Sequence, residues 1–87
     1  MSLTTITYGI AYQFDDHGQQ RLIFRHRHAA TGVIVSGVDD GDVIEALIAR
    51  RQAINGIEYH HENVAAIMAL RGAAAAIKAT PEVLLPS

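Results

Sequence analysis

Cysteine and tryptophan are absent from this 87-residue sequence, and proline occurs only twice. Without cysteine the chain forms neither a disulfide framework nor a thiolate metal site, and such a composition fits a reducing compartment. The basic excess typical of proteins that bind nucleic acid is also missing, since the net charge is −2. These absences favour a cytoplasmic protein and disfavour nucleic acid as its main partner.

Long uninterrupted apolar runs are missing as well. The most apolar stretch, residues 64–79, contains Arg71 and Lys78 and is too short to cross a membrane. No basic segment followed by a leucine-rich run opens the sequence, so no signal peptide and no membrane partner are expected. Apolar residues nevertheless make up 49% of the chain, as in globular proteins, and the length predicts one domain spanning residues 1–87.

Hydrophobic alternation predicts a sheet in the first half of the chain. From Thr5 to Phe14, β-branched and aromatic residues occupy every second position, which is typical of a half-buried strand. Residues 15–18 supply turn chemistry, and further strands are predicted at 21–28 and 33–38. Because the connections are short, the three strands favour an antiparallel meander.

Two helices are predicted in the second half. The first follows an acidic cluster, in which Asp42 and Glu45 have capping-box spacing, and it is expected to run from about Val43 to Ile54, before a stop at Asn55 and Gly56. Asn63 is expected to cap the second helix, which covers residues 64–79.

The segment between these helices, Ile57 to His60, is expected to be a loop or a short extra strand, and residues 82–87 a short turn. The predicted fold is therefore α+β, with a three-stranded antiparallel meander followed by two helices packed on one face, in the order β-β-β-α-α.

Signatures of catalysis are not found. The sequence has no GxSxG, no HExxH and no phosphate-binding glycine loop. The serines, at positions 2, 36 and 87, have no neighbours that would activate them. We therefore predict a protein that is not an enzyme and that needs no cofactor.

The histidines are the most unusual feature of the composition. His26 and His28 are two residues apart in a predicted strand, so both are expected on its apolar face, whereas His60 and His61 open the second predicted helix. Two imidazoles from a strand and one from a helix start are an acceptable zinc or nickel geometry. Nothing in the spacing is specific to a metal, so we favour half-covered, hydrogen-bonded histidines and predict no metal site.

Arginines alternate on the opposite face of the same predicted strand. We define the arginine surface as Arg21, Arg25 and Arg27 together with Gln13, which is expected on the same side. A row of guanidinium groups can bind phosphates or an acidic partner, and a sheet can present it to a DNA groove. The alternative is a solvated outer face, although Ile23 lies there too and does not suit a purely solvated surface.

The second predicted helix has large residues on one side and small ones on the other. We define the small-residue face as Ala65, Ala69, Gly72 and Ala76, which are spaced as in a heptad. Such a face lets another helix approach closely, whereas the alternative is that alanine, the best helix former, fills exposed positions. We favour a helix-mediated homodimer.

These features predict a small non-enzymatic protein–protein interaction module, homodimeric and acting by stoichiometric binding. Small acidic α+β proteins of this kind often serve as inhibitors, immunity proteins or accessory factors, including those of mobile elements. The expected partner is a protein. Two alternatives stay open: a nucleic-acid-associated regulator that uses the arginine surface, and a histidine-metal sensor or small metalloenzyme.

Overall fold

The computed structural model describes residues 3–14 and 19–86, and the chain divides into two units. The strand unit comprises Met1–Asp39 and Glu82–Ser87, and the helical unit comprises Asp40–Pro81. The predicted α+β class, with a three-stranded antiparallel sheet followed by two helices, is confirmed. That residues 1–87 act as a single domain stays a prediction from chain length.

The first predicted strand is a hairpin and not one continuous strand. β1 (Thr4–Thr7) pairs antiparallel with β2 (Ala11–Gln13), and the Ile10 amide donates to the Thr7 carbonyl at 3.0 Å to close the turn. Gly9 has a φ of 76°, a backbone conformation that glycine adopts without steric cost. The alternation prediction was wrong here because it treated Gly9 as a strand residue, and Tyr8, expected on the apolar face, is 87% exposed.

β3 (Arg21–Ile23) completes the three-stranded sheet in the order β1-β2-β3. The rest of the predicted second strand forms β4 (His26–Arg27), which pairs antiparallel with β5 (Ile34–Val35) in a separate two-stranded sheet. The third strand of the meander is thus β3, and the segment predicted for that role, residues 33–38, contributes β5 and a single bridge at Val38. The turn predicted at residues 15–18 lies outside the described residues.

Gly37 lies directly against the backbone of residues 23–25. Val38 bonds to Ile23 and Arg25, at 2.9 and 2.8 Å, whereas the Phe24 amide donates to Ile10 at 2.8 Å. Because neighbouring backbone groups point to opposite edges of a strand, Val38 and Ile10 flank this segment on its two sides. A Cβ at Gly37 would lie 2.6 Å from backbone atoms of residues 23, 24 and 25.

The C-terminal segment is paired with residues 27–29, contrary to the expected short turn. The Leu85 amide donates to Arg27 O at 3.1 Å, and the Ala29 amide donates to Leu85 O at 3.1 Å. These two bonds form a parallel bridge between Leu85 and His28. The sequence gives no sign of it, because one bridge needs no strand-length hydrophobic pattern.

The core of the strand unit is small. Ile10 and Ala11 are buried, and the Tyr12 and Phe24 rings meet edge to face with centroids 6.3 Å apart. The Tyr12 hydroxyl accepts a hydrogen bond from the Gly9 amide at 2.8 Å, which ties the core to the hairpin turn.

Both helices form close to their predicted positions. α1 (Asp40–Ile57) starts three residues before the expected first residue, Val43, so Asp42 lies inside the first turn, where its charge suits the helix dipole. α2 (His61–Lys78) packs against α1, and its half-buried positions include Ile67, Leu70 and Ala74 of the predicted large-residue side. Ile57 ends α1 and residues 58–60 contain no strand, so the extra strand considered for Ile57 to His60 is absent.

Asn63 does not cap α2 but joins the two helices. It is the third residue of α2, it is buried, and its side-chain Nδ2 donates to Asn55 Oδ1 at 3.2 Å. Its Oδ1 accepts a bond from Arg51 Nη1 at 3.3 Å, and Asn55 Oδ1 also accepts one from the His60 amide at 2.8 Å. The tertiary contact with α1 therefore replaced the local capping contact expected from sequence.

Candidate functional site

The arginine surface is present on the exposed side of the strand unit. β2 and β3 pair with Gln13 opposite Arg21, so these two side chains lie on one face. Exposure alternates through residues 21–26: Arg21, Ile23 and Arg25 are exposed, whereas the residues between them are half-buried or buried. The parity argument therefore located Arg21 and Arg25 correctly, whereas Arg27 and Gln13 are half-buried.

Arg25 is oriented by the carboxylate of Asp39, which lies 14 residues later in the sequence. Its Nε donates to Asp39 Oδ1 at 2.8 Å, and its side chain is 44% exposed. The hydrogen bond and the charge of Asp39, with a smaller effect of Glu82, raise the pKa of the Arg25 guanidinium above its ordinary value. Arg25 is therefore a permanent cation whose orientation is fixed from one side.

Arg27 is anchored in a similar way. Its Nη1 donates to the Gly32 carbonyl at 2.6 Å, and its Nε lies 3.7 Å from Glu82 Oε1. The side chain is 37% exposed. The charge of Glu82 therefore acts on both Arg25 and Arg27.

Aliphatic side chains extend the arginine surface. Ile23, which follows Arg21 by two residues, is 46% exposed, and Ile34, opposite Arg27 in the β4–β5 pair, is 48% exposed. Both isoleucines therefore add apolar area beside the arginines. The composition is typical of a protein contact surface, where arginine and apolar residues occur together.

His26 is buried on the face opposite the arginines, as its parity predicted. Its Nδ1 lies 3.2 Å from the Phe24 carbonyl oxygen, and because a carbonyl oxygen only accepts, Nδ1 is the donor in that contact. Its Nε2 is buried without a hydrogen-bond partner among the described residues.

Two other histidines with described positions, His28 and His60, make local contacts. His28 Nδ1 accepts a bond from the Ala30 amide at 3.1 Å, and His60 Nε2 lies 3.2 Å from Glu58 Oε2. His61, the first residue of α2, is exposed. Within residues 3–14 and 19–86, no three histidine, aspartate or glutamate side chains are arranged to hold a metal ion.

Zinc is expected to leave the melting temperature unchanged to within about 1 °C. A ligand stabilises a protein only by binding its folded state, and we predict no zinc site among the histidines. The measurement is a thermal melt at neutral pH, with and without a molar excess of zinc over the chain. Stabilisation that saturates at one zinc per chain and disappears in His26→Ala would show that the histidines form a metal site.

The small-residue face lies on the side of α2 away from α1. Ala65, Ala69, Gly72 and Ala76 are all exposed, and a Cβ at Gly72 would meet no atom within 4 Å. Met68, which is 67% exposed, lies beside this face, three residues after Ala65 and four before Gly72. In the described structure, this side of α2 is therefore uncovered.

Sequence reasoning missed several residues of these surfaces. Met68 could have been found from its helical spacing to the small residues. Asp39 and Glu82 carry no such signal, because they are 14 and 55 positions away from the arginines that they contact. Ile34 joins the surface only through the β4–β5 pairing.

No helix among the described residues is long and apolar enough to cross a membrane.

The arginine surface and the uncovered side of α2 are the two features that most need a functional explanation. No protein-family model matches the chain, and neither a curated protein nor a solved structure matches it, so its function has to be argued from its own residues.

Proposed function

We propose that this chain is a non-enzymatic protein–protein interaction module that acts by stoichiometric binding. The observation that carries the proposal is how little of its apolar surface is covered. Among the described residues, only Ile10, Ala11, His26 and Asn63 are buried, and two of these are polar. Contiguous apolar surface that a chain leaves exposed usually marks a place where another protein binds.

The uncovered side of α2 supports a homodimer. Small residues let two helices approach closely, and Met68 beside them offers a flexible apolar side chain to fill the gap at the contact. A two-fold axis would place the same face of both chains in contact, so each α2 would cover the other. In this proposal the small-residue face of Ala65, Ala69, Gly72 and Ala76 is the dimer interface.

The arginine surface supports a protein partner with an acidic patch. Arg25 and Arg27 are already oriented by their own carboxylate and carbonyl contacts, which lowers the entropy lost when a partner binds. The half-exposed Ile23 and Ile34 supply apolar area beside the charges. We propose that the module is cytoplasmic and works as an inhibitor, immunity protein or accessory factor without a cofactor.

The nucleic-acid alternative is weaker for an electrostatic reason. Two of the three arginines are paired with carboxylates, Arg25 with Asp39 and Arg27 with Glu82, so the summed charge of these five residues is about +1 and not +3. A polyanion such as DNA is attracted by uncompensated positive charge and is repelled by carboxylates.

The double change Arg25→Ala with Arg27→Ala is expected to abolish capture of the protein partner. Both side chains are partly exposed, so the melting temperature should change by no more than about 3 °C. The measurement is affinity capture from the native host with mass spectrometry, with the wild-type chain and the variant as parallel baits.

Arg50→Ala with Arg71→Ala is the matched control, because it removes the same charge from exposed positions of the helical unit. This control should capture the partner like the wild type. If the Arg25 and Arg27 variant captures the same protein at the same ratio, the arginine surface is not the binding site.

A further inference from the structure

Each of the two anchored arginines is held through part of its guanidinium group only. Arg25 uses Nε for Asp39, and Arg27 uses Nη1 for Gly32, with Nε facing Glu82. In the part of the chain that the structure describes, the terminal nitrogens of Arg25 and Nη2 of Arg27 make none of these contacts. The anchors therefore orient both groups without using these remaining donors.

The spacing of these donors follows from the strand. Arg25 and Arg27 are two residues apart in an extended segment, so their attachment points are about 6.6 Å apart on one side. An extended partner segment presents every second side chain at the same interval. Two carboxylates at alternate positions of such a segment therefore match the two guanidinium groups.

The neighbouring isoleucines restrict the partner further. Ile23 precedes Arg25 by two residues, and Ile34 lies opposite Arg27. The next alternate position of an extended partner segment would meet one of these half-exposed side chains. An aliphatic residue there buries apolar area, whereas a third charge would be desolvated without a partner.

We infer that the arginine surface binds an extended acidic segment of the partner protein, with carboxylates two residues apart and an aliphatic residue at the next alternate position. This inference rests on the proposed function and names the partner chemistry for the same surface. Asp39 and Glu82 act as positioning residues for the guanidinium groups, and their charges exclude denser polyanions.

The test uses fluorescence anisotropy with synthetic probes. The first probe is a fluorescein-labelled peptide in which glutamate alternates with threonine and the last alternate position is isoleucine. A second peptide has the same composition with its glutamates adjacent, and the third probe is oligothymidine of equal charge. We expect the alternating peptide to bind at least about tenfold more tightly than either of the others.

The binding of the alternating peptide should fall at least about tenfold in Arg25→Ala with Arg27→Ala and stay unchanged in Arg50→Ala with Arg71→Ala. Tightest binding of oligothymidine, with a steep salt dependence, would overturn the inference in favour of nucleic acid. Equal binding of the two peptides would overturn the alternate spacing. No peptide binding, while capture still yields a partner that needs the arginines, would refute this inference and leave the proposed function standing.

Discussion

Gly37→Ala is expected to destabilise the strand unit by about 3 kcal/mol, the upper end of the usual range for overpacking. The added Cβ would lie 2.6 Å from Arg25 N, Ile23 O and Phe24 C. These are backbone atoms of the segment that pairs with β2 and with Val38, so no flexible side chain can move aside. The measurement is urea unfolding followed through the amide resonances of Phe24 and Arg25.

Gly41→Ala is the control for this substitution. Gly41 lies in the first turn of α1, and a Cβ there meets no atom within 4 Å. Alanine is the better helix former, so the control should be neutral or slightly stabilising. A Gly37→Ala protein as stable as the wild type would mean that the segment after β5 does not pass against Phe24.

Ala69→Glu is expected to keep the chain monomeric by preventing the proposed dimer. Ala69 is at the centre of the small-residue face, and each chain of a two-fold dimer would place a carboxylate where two helices meet closely. An unpaired buried charge costs about 3 kcal/mol or more, which weakens association by a factor of roughly 100. Sedimentation velocity of the variant at micromolar concentration measures the effect.

Ala49→Glu provides a matched control on the other helix. Ala49 is exposed in the middle of α1, so the same chemical change should leave the mass and the melting temperature as they are in the wild type. If Ala69→Glu and Ala49→Glu behave alike, the small-residue face is solvent-exposed alanine, as the alternative interpretation holds.

The helices were predicted better than the strands, for a physical reason. Periodic apolar residues and local end signals encode a helix within one segment, and α1 and α2 lie within three residues of their expected bounds. A hairpin depends on one residue that tolerates positive φ, and Gly9 occupied a position where alternation alone expected a strand residue. Asn63 shows the limit for helix ends, since its contact with Asn55 comes from the packing of two helices.

For the arginine segment, the exposure of alternate residues was predictable, but their contacts were not. Alternation along one extended segment is a local property, so the exposure of Arg25 and the burial of His26 followed from parity. The contact of Arg25 with Asp39 and that of Arg27 with Glu82 depend on how distant segments come together. His26 Nε2 is buried and has no hydrogen-bond partner within the described part of the chain, and this too has no sequence signal, since a local pattern gives burial but not hydrogen-bond partners.

The central claim, that this chain is a self-associating interaction module, is tested most directly by sedimentation equilibrium of the unmodified protein at micromolar concentration. We expect the protein to sediment with twice the chain mass of 9.4 kDa, because the uncovered side of α2 would be buried against a second copy. A single-chain mass across the micromolar range would contradict the dimer and leave the small-residue face without the role assigned to it.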